Sequence, residues 1–177
     1  MYQKIAEIGP KLLGKARTLR LGFNLSPMYR RSTAKLVEVS DDISRIVTKL
    51  PISYKNRNYV GSIFGGSLFS AVDPVPMVQL INLLDSNYIV WDKSAEIFFK
   101  APALEDLYAE FTYSQDEIDH IKATIAAQKE MEVVKVTQLT NKARSKVYCE
   151  VRKTIYIADK AHYKAKLAAR KKASAQG

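Results

Sequence analysis

The sequence predicts an α+β fold in which a strongly curved antiparallel sheet wraps around one long, very apolar helix. Three observations carry this. The run from Ser67 to Leu84 is apolar on almost every face, so a helix formed there needs burial on nearly all sides. Strand-like segments lie both before and after it, and a curved antiparallel sheet can supply that burial. The chain has 177 residues, the length of one domain, and folding at this size buries roughly 70% of the extended surface.

Taken in order, residues 3–22 place Ile5, Ile8, Leu12, Leu13, Ala16 and Leu19 at mostly helical spacing. Lys4, Lys11, Lys15, Arg17 and Arg20 stand between them, which predicts a basic amphipathic helix interrupted at Gly9-Pro10. Leu36-Val37-Glu38-Val39, then Asp41-Asp42, then Ile43 to Leu50 read as two strands joined by an Asp-Asp turn. A polar connection from Ser53 to Arg57 leads through Gly61, Gly65 and Gly66 into the apolar helix. Strands are expected at Tyr88–Trp91, Ala95–Lys100 and Leu107–Tyr113. Ser114 with Glu117 three residues on is a capping pair that starts a helix running to about Gln128. Glu130–Leu139 and Lys146–Ile157 close the domain as two long strands. In the last, Val147, Cys149, Val151, Lys153 and Ile155 alternate with Tyr148, Glu150, Arg152, Thr154 and Tyr156. The outer face and edge of such a sheet need covering, which favours self-association.

The net charge of +10 is unevenly spread. Residues 1–31 carry seven Lys/Arg against one Glu, and residues 159–177 carry six against one Asp, while residues 32–158 sum to −1. We therefore expect a nearly neutral domain at 32–158, a basic helical extension at 1–31 and a basic tail at 159–177. The termini could meet anionic surfaces, but the domain has no footprint of a specific nucleic-acid binder. One cysteine, Cys149, excludes a disulfide framework and a Cys-rich zinc site. The first thirty residues lack the apolar core of a secretory signal, and Asp73, Pro74 and Pro76 interrupt the longest apolar stretch, so no membrane span is expected and a cytoplasmic location is. No metal-ligand cluster, P-loop or dinucleotide fingerprint appears, and no cofactor is expected. His120 and His162 have no partners for a nucleophilic triad, and Cys149 reads as a buried strand residue.

Chemistry is concentrated between Asn58 and Asp73. Gly65 and Gly66 open the apolar helix, where first-turn N–H groups lack intrahelical acceptors and sit at the positive end of the dipole. Such donors can polarise a thioester or ester carbonyl and stabilise the oxyanion that develops. Asp73 is the only acid between Asp42 and Asp85. Two readings of it stand side by side: a general base or nucleophile in apolar surroundings, or a polar partner for carbonyls freed at the Pro74/Pro76 kink. Eight residues at about 1.5 Å rise put Gly65 and Asp73 about 12 Å apart, too far to serve one carbonyl. A shared site therefore requires two antiparallel helices, Gly65 of one chain facing Asp73 of another, and so a homodimer.

With Asn58, then Phe64-Gly65-Gly66, then Asp73 nine residues after Phe64, the segment resembles the signature of hotdog-fold thioesterases of the phenylacetyl-CoA type. In that family an Asn or Gln precedes a His-Gly-Gly turn, and an acid follows nine residues after the His. The strand order along roughly residues 33–158 fits, whereas Phe64 stands in place of the usual His. The stretch from Asn58 to Asp92 is also similar to a little-characterised subgroup of hotdog proteins. The resemblance implies an acyl-CoA or acyl-carrier thioesterase acting as a homodimer or tetramer. Gly65 or Gly66 would donate to the carbonyl, Asn58 would orient water or substrate, and Asp73 would be base or nucleophile. Phe64, Ser70, Met77 and Trp91 are the candidate substrate contacts, Trp91 alternatively filling the core. The departure at Phe64 motivates a second reading, a hotdog protein that binds acyl thioesters or lipids without hydrolysing them.

Overall fold

A computed structural model describes residues 13–174. The expected helix over residues 3–22 therefore falls partly outside the described residues. What is described of it is α1 (Lys15–Leu25), which with α2 (Pro27–Arg31) leads into β1 (Lys35–Val39) and β2 (Arg45–Leu50). Then come α3 (Gly65–Val72), α4 (Val75–Leu83), β3 (Tyr88–Phe99), β4 (Leu107–Thr112), α5 (Gln115–Gln128), β5 (Glu130–Thr140), β6 (Val147–Asp159) and α6 (Lys160–Ser174). The six strands form one antiparallel, curved sheet in the order β1-β2-β4-β5-β6-β3. The α3/α4 segment lies against its concave face.

Two expectations need correction. The apolar run is two helical segments rather than one, because Pro74 and Pro76 cannot donate to the helix ladder. Asp73 and Pro74 nevertheless stay in the right-handed region, and bonds from Asp73 N–H to Phe69 O (2.9 Å) and from Val78 N–H to Pro74 O (3.1 Å) carry the chain across the kink. The expected pair of strands at 88–100 is a single twelve-residue strand, with the register shift of a bulge between Asp92 and Ser94. The polar Asp92-Lys93-Ser94 reads locally as a turn, yet long pairing with β6 keeps it in the sheet.

The core divides at the kink. Leu68, Ala71 and Val72 of α3 pack with Leu36, Ile46, Leu50, Leu107 and Leu139. Leu80 of α4 packs with Ile118, Ile121 and Ile125 of α5 and with Ile155 and Ile157 of β6. Gln79, fully buried on α4, donates to Ile43 O (2.8 Å) and Ser44 O (3.1 Å), tying the helix to the β1–β2 turn. The expected cap is present: Ser114 Oγ accepts from Glu117 N–H at 3.1 Å. On the outer face α6 lies beside β6 and β3, held by Lys166 to Glu130 (2.6 Å) and by Tyr163 against Trp91. Strand β3 pairs only with β6, so the other side of the sheet's longest edge is unpartnered among the described residues. No described helix is long and apolar enough to cross a membrane.

Candidate active site

The loop before α3 is shaped by two asparagines. Asn56, 3% exposed, accepts from Ser53 N–H (2.8 Å) and donates to Thr33 Oγ1 (2.7 Å) and Pro51 O (2.8 Å). Asn58 accepts from the N–H groups of Val60 and Ser62, both at 3.1 Å, and donates to Ser62 Oγ at 2.9 Å. This folds residues 58–62 into a turn, with Gly61 at φ 82° where a side chain would be strained. Phe64 N–H donates to Asn56 O (2.7 Å), and Phe64 O accepts from both Ser67 and Leu68 N–H. The N–H groups of Gly65 and Gly66 meet no acceptor among the described residues. They are the orphan donors of a helix start whose N-cap offers no side-chain oxygen.

Exposed aromatic rings lie close over both glycines, so a side chain at either would have to displace one. A Cβ on Gly65 would come 2.9 Å from the Phe99 ring, and one on Gly66 2.3 Å from the Phe64 ring. A cavity of about 420 Å³ opens here, with Asn58, Ser62, Gly65, Phe99 and Lys100 in its wall. The structure therefore brings Asn58 and Gly65 to one cavity beside the free end of β3. Phe64 is 57% exposed over Gly66, and Ser70 Oγ donates to Gly66 O at 2.7 Å on the following turn.

Asp73 lies at the opposite end of α3, and there the structure adds a residue that the motif does not contain. Lys153 of β6 is 2% exposed, and its Nζ lies 2.6 Å from Asp73 Oδ1 and 2.7 Å from Asp92 Oδ2. It also donates to the Asp73 carbonyl, one of the main-chain oxygens at the kink. One ammonium thus fixes the side chain and the backbone of Asp73 while bridging to Asp92 on β3. Asp73 Oδ2 has no partner among the described residues, and the side chain is 42% exposed, so that oxygen can meet water. Burial pushes the Asp92 carboxyl above its usual range, with the Lys153 hydrogen bond opposing that shift. The pairing anchors the kink, and it gives Asp73 a charged partner and access to water rather than the apolar surroundings expected of it. Lys153 was visible as the single charged residue on the apolar row of the last strand.

The remaining candidates lie apart. Met77, half-buried on α4, packs against the second core cluster. Trp91 points to the outer face of the sheet, with ring centroids 5.5 Å from Tyr156 and 5.6 Å from Tyr163, and is not brought to Gly65 or Asp73. Cys149 is fully buried, and burial pushes its thiol up to about 11. No group of three or more potential metal ligands occurs among the described residues.

With this geometry in view, a sequence family described as a domain of unknown function, DUF4442, matches residues 14–157. No curated protein matches the chain. Solved structures with the same architecture include a Pseudomonas aeruginosa protein of unknown function at 19% identity, TM-score 0.72, covering 81% of this chain and 95% of its own. A Haemophilus influenzae thioesterase is similar at 11% identity, TM-score 0.60, with 82% and 92% covered. Zebra fish thioesterase superfamily member 2 is similar at 16% identity, TM-score 0.57, with 80% and 96% covered. At these identities the likeness establishes the hotdog fold.

Proposed function

The chain belongs to the DUF4442 family of hotdog-fold proteins, and from that premise we propose that it hydrolyses an acyl thioester, of coenzyme A or of an acyl-carrier protein, at a site shared by two subunits. The observation that carries this is the pairing of two functional ends on one kinked helix. Gly65 and Gly66 offer unpartnered N–H donors, Gly65 in the wall of a cavity, and eight residues after Gly65 Asp73 offers an open carboxylate oxygen held in place by Lys153. Thioesterases among the proteins of the same fold support the reaction class. The unpaired β3 edge supports a homodimer built by continuing the sheet across a two-fold axis, with tetramers as a further assembly.

In this reading the thioester carbonyl of one site sits on the N–H groups of Gly65 and Gly66, and Asp73 of the other subunit takes a proton from water. A C–O bond forms, the C–S bond breaks, and the departing thiolate takes up a proton. If Asp73 instead attacks directly, it uses the same oxygen in the same place. Asn58 shapes the cavity wall and orients the water or substrate there. Phe64 and Ser70 meet the acyl group, while Met77 serves the second core cluster and Trp91 the packing of α6.

Cleavage of short, medium, long and aromatic acyl-CoAs by wild type and Asp73→Asn tests the proposal. Turnover that falls by about 10²- to 10⁴-fold in the variant, as expected for loss of a general base, supports it. A monomer by sedimentation removes the shared site. One observation favours a second reading, an acyl-thioester binder without turnover: the exposed Phe64 ring packs close over Gly66, beside the donors. Absence of Asp73-dependent cleavage together with saturable acyl-CoA binding by a folded dimer would select it.

A further inference from the structure

A second concavity lies away from Gly65. A groove of about 670 Å³, within the usual range of ligand pockets, separates α1 and α2 from the flank of the central helix that faces away from Lys153. Leu19, Phe23, Met28, Pro74 and Val78 line it, and Lys15 and Arg31 are the charged residues in its wall. Neither of those two meets a carboxylate within salt-bridge distance among the described residues. Among the described residues that line the groove no acidic side chain occurs. Gly22 also lines it, in the middle of α1, and a Cβ there would meet none of the described residues within 4 Å. A glycine inside a helix costs about 1 kcal/mol relative to alanine, and here no close packing contact requires one. Its effect is to keep the groove open.

We infer that this groove binds a single-chain anionic amphiphile of the fatty-acid class, its hydrocarbon chain lying against Leu19, Phe23, Pro74 and Val78 and its carboxylate meeting Lys15 and Arg31. A concave, apolar slot with a one-signed rim suits one chain and one anionic head; a bilayer surface would be met by a convex or flat face. The site is on the opposite flank of the helix from the Asp73–Lys153 pair and does not depend on thioester turnover.

Fluorescence of cis-parinaric acid titrated into the full-length protein tests the inference, with palmitate and hexadecanol as competitors. Saturable binding of one probe per chain is expected. Gly22→Phe, which fills the groove from a position with free space, should weaken binding at least tenfold while leaving the oligomeric state and thermal unfolding unchanged. The double variant Lys15→Glu/Arg31→Glu should weaken it about tenfold at low salt and less at high salt. Hexadecanol, with the same chain and no charge, should compete at least tenfold less well than palmitate. Unchanged affinity in Gly22→Phe, or equal competition by the alcohol, overturns the proposal. So does binding to phosphatidylglycerol vesicles that Gly22→Phe does not alter, when parinarate itself fails to bind. If Gly22→Phe does not fold, the charge-reversal variant and the competitor pair decide.

Discussion

The two flanks of the central helix hold the same kink by different physics. Towards β6 a single buried ammonium binds two carboxylates and a main-chain carbonyl. Towards the N-terminal helices the contact is an apolar groove and one neutral hydrogen bond, from the buried Tyr29 hydroxyl to Ala71 O at 2.8 Å. The charged flank concentrates its effect in few atoms, because a buried Lys that loses its partners, or carboxylates that lose their Lys, are left costly to hold. The apolar flank spreads its effect over many small contacts and tolerates change at any one of them. The helix is therefore fixed at Asp73 and more permissive two or three side chains away.

Lys153→Met breaks the contrast most severely. It leaves Asp73 and Asp92 facing each other without a counter-charge. Because both are partly exposed, 42% and 27%, the loss of stability should fall below the range for fully buried pairs, at about 2–3 kcal/mol. Urea unfolding measures this, and turnover should fall with Asp73 no longer positioned. On the other flank Tyr29→Phe removes one buried hydrogen bond and should cost about 1 kcal/mol in the same assay. The double variant sharpens the comparison. Independent flanks give losses that add to within about 0.5 kcal/mol, and a larger discrepancy means that the kink couples them.

Asp92→Asn should have the smallest effect and a characteristic pH dependence. Burial raises the folded-state pKa of Asp92, so its ionisation disfavours the fold. Below the unfolded carboxyl pKa of about 3.9 the group is neutral in both states and this penalty vanishes. As pH rises past that value the wild type loses stability relative to the variant, levelling off above the folded pKa. Denaturation midpoints of the two proteins at pH 3.5 and pH 7 should therefore differ in that direction. An opposite slope would mean that the ion pair with Lys153 outweighs burial.

The sheet and the capped helix α5 were legible because period-two alternation, turn residues and the Ser114/Glu117 pair are local signals. The kink was half legible: the prolines announce a disturbance, but whether a helix ends or continues depends on what receives the freed carbonyls. Lys153 supplies that at Asp73, and it comes from 80 residues away. The alternation of β6 placed Lys153 on the inward row, yet nothing local distinguishes a lysine that reaches out to water from one that pairs inward. Its partners on α3/α4 and β3 are adjacent only in the folded sheet. Asn58 was visible as a motif position, whereas Asn56, which holds the same loop from beneath, sits among polar residues of identical appearance. Trp91 read as a pocket or core residue because nothing in the sequence announces that the C-terminal helix brings Tyr163 over the outer face.

The buried state of Cys149, the only sulfhydryl in the chain, makes the native protein a blank background for labelling. With the thiol pushed up to about 11, maleimides and alkylating reagents should leave the folded protein untouched at neutral pH. A cysteine placed at Ser94, an exposed position on the unpartnered strand edge, would then be the one addressable handle. Spin labels there would report the distance between subunits across the proposed two-fold axis without first stripping a native residue from the core.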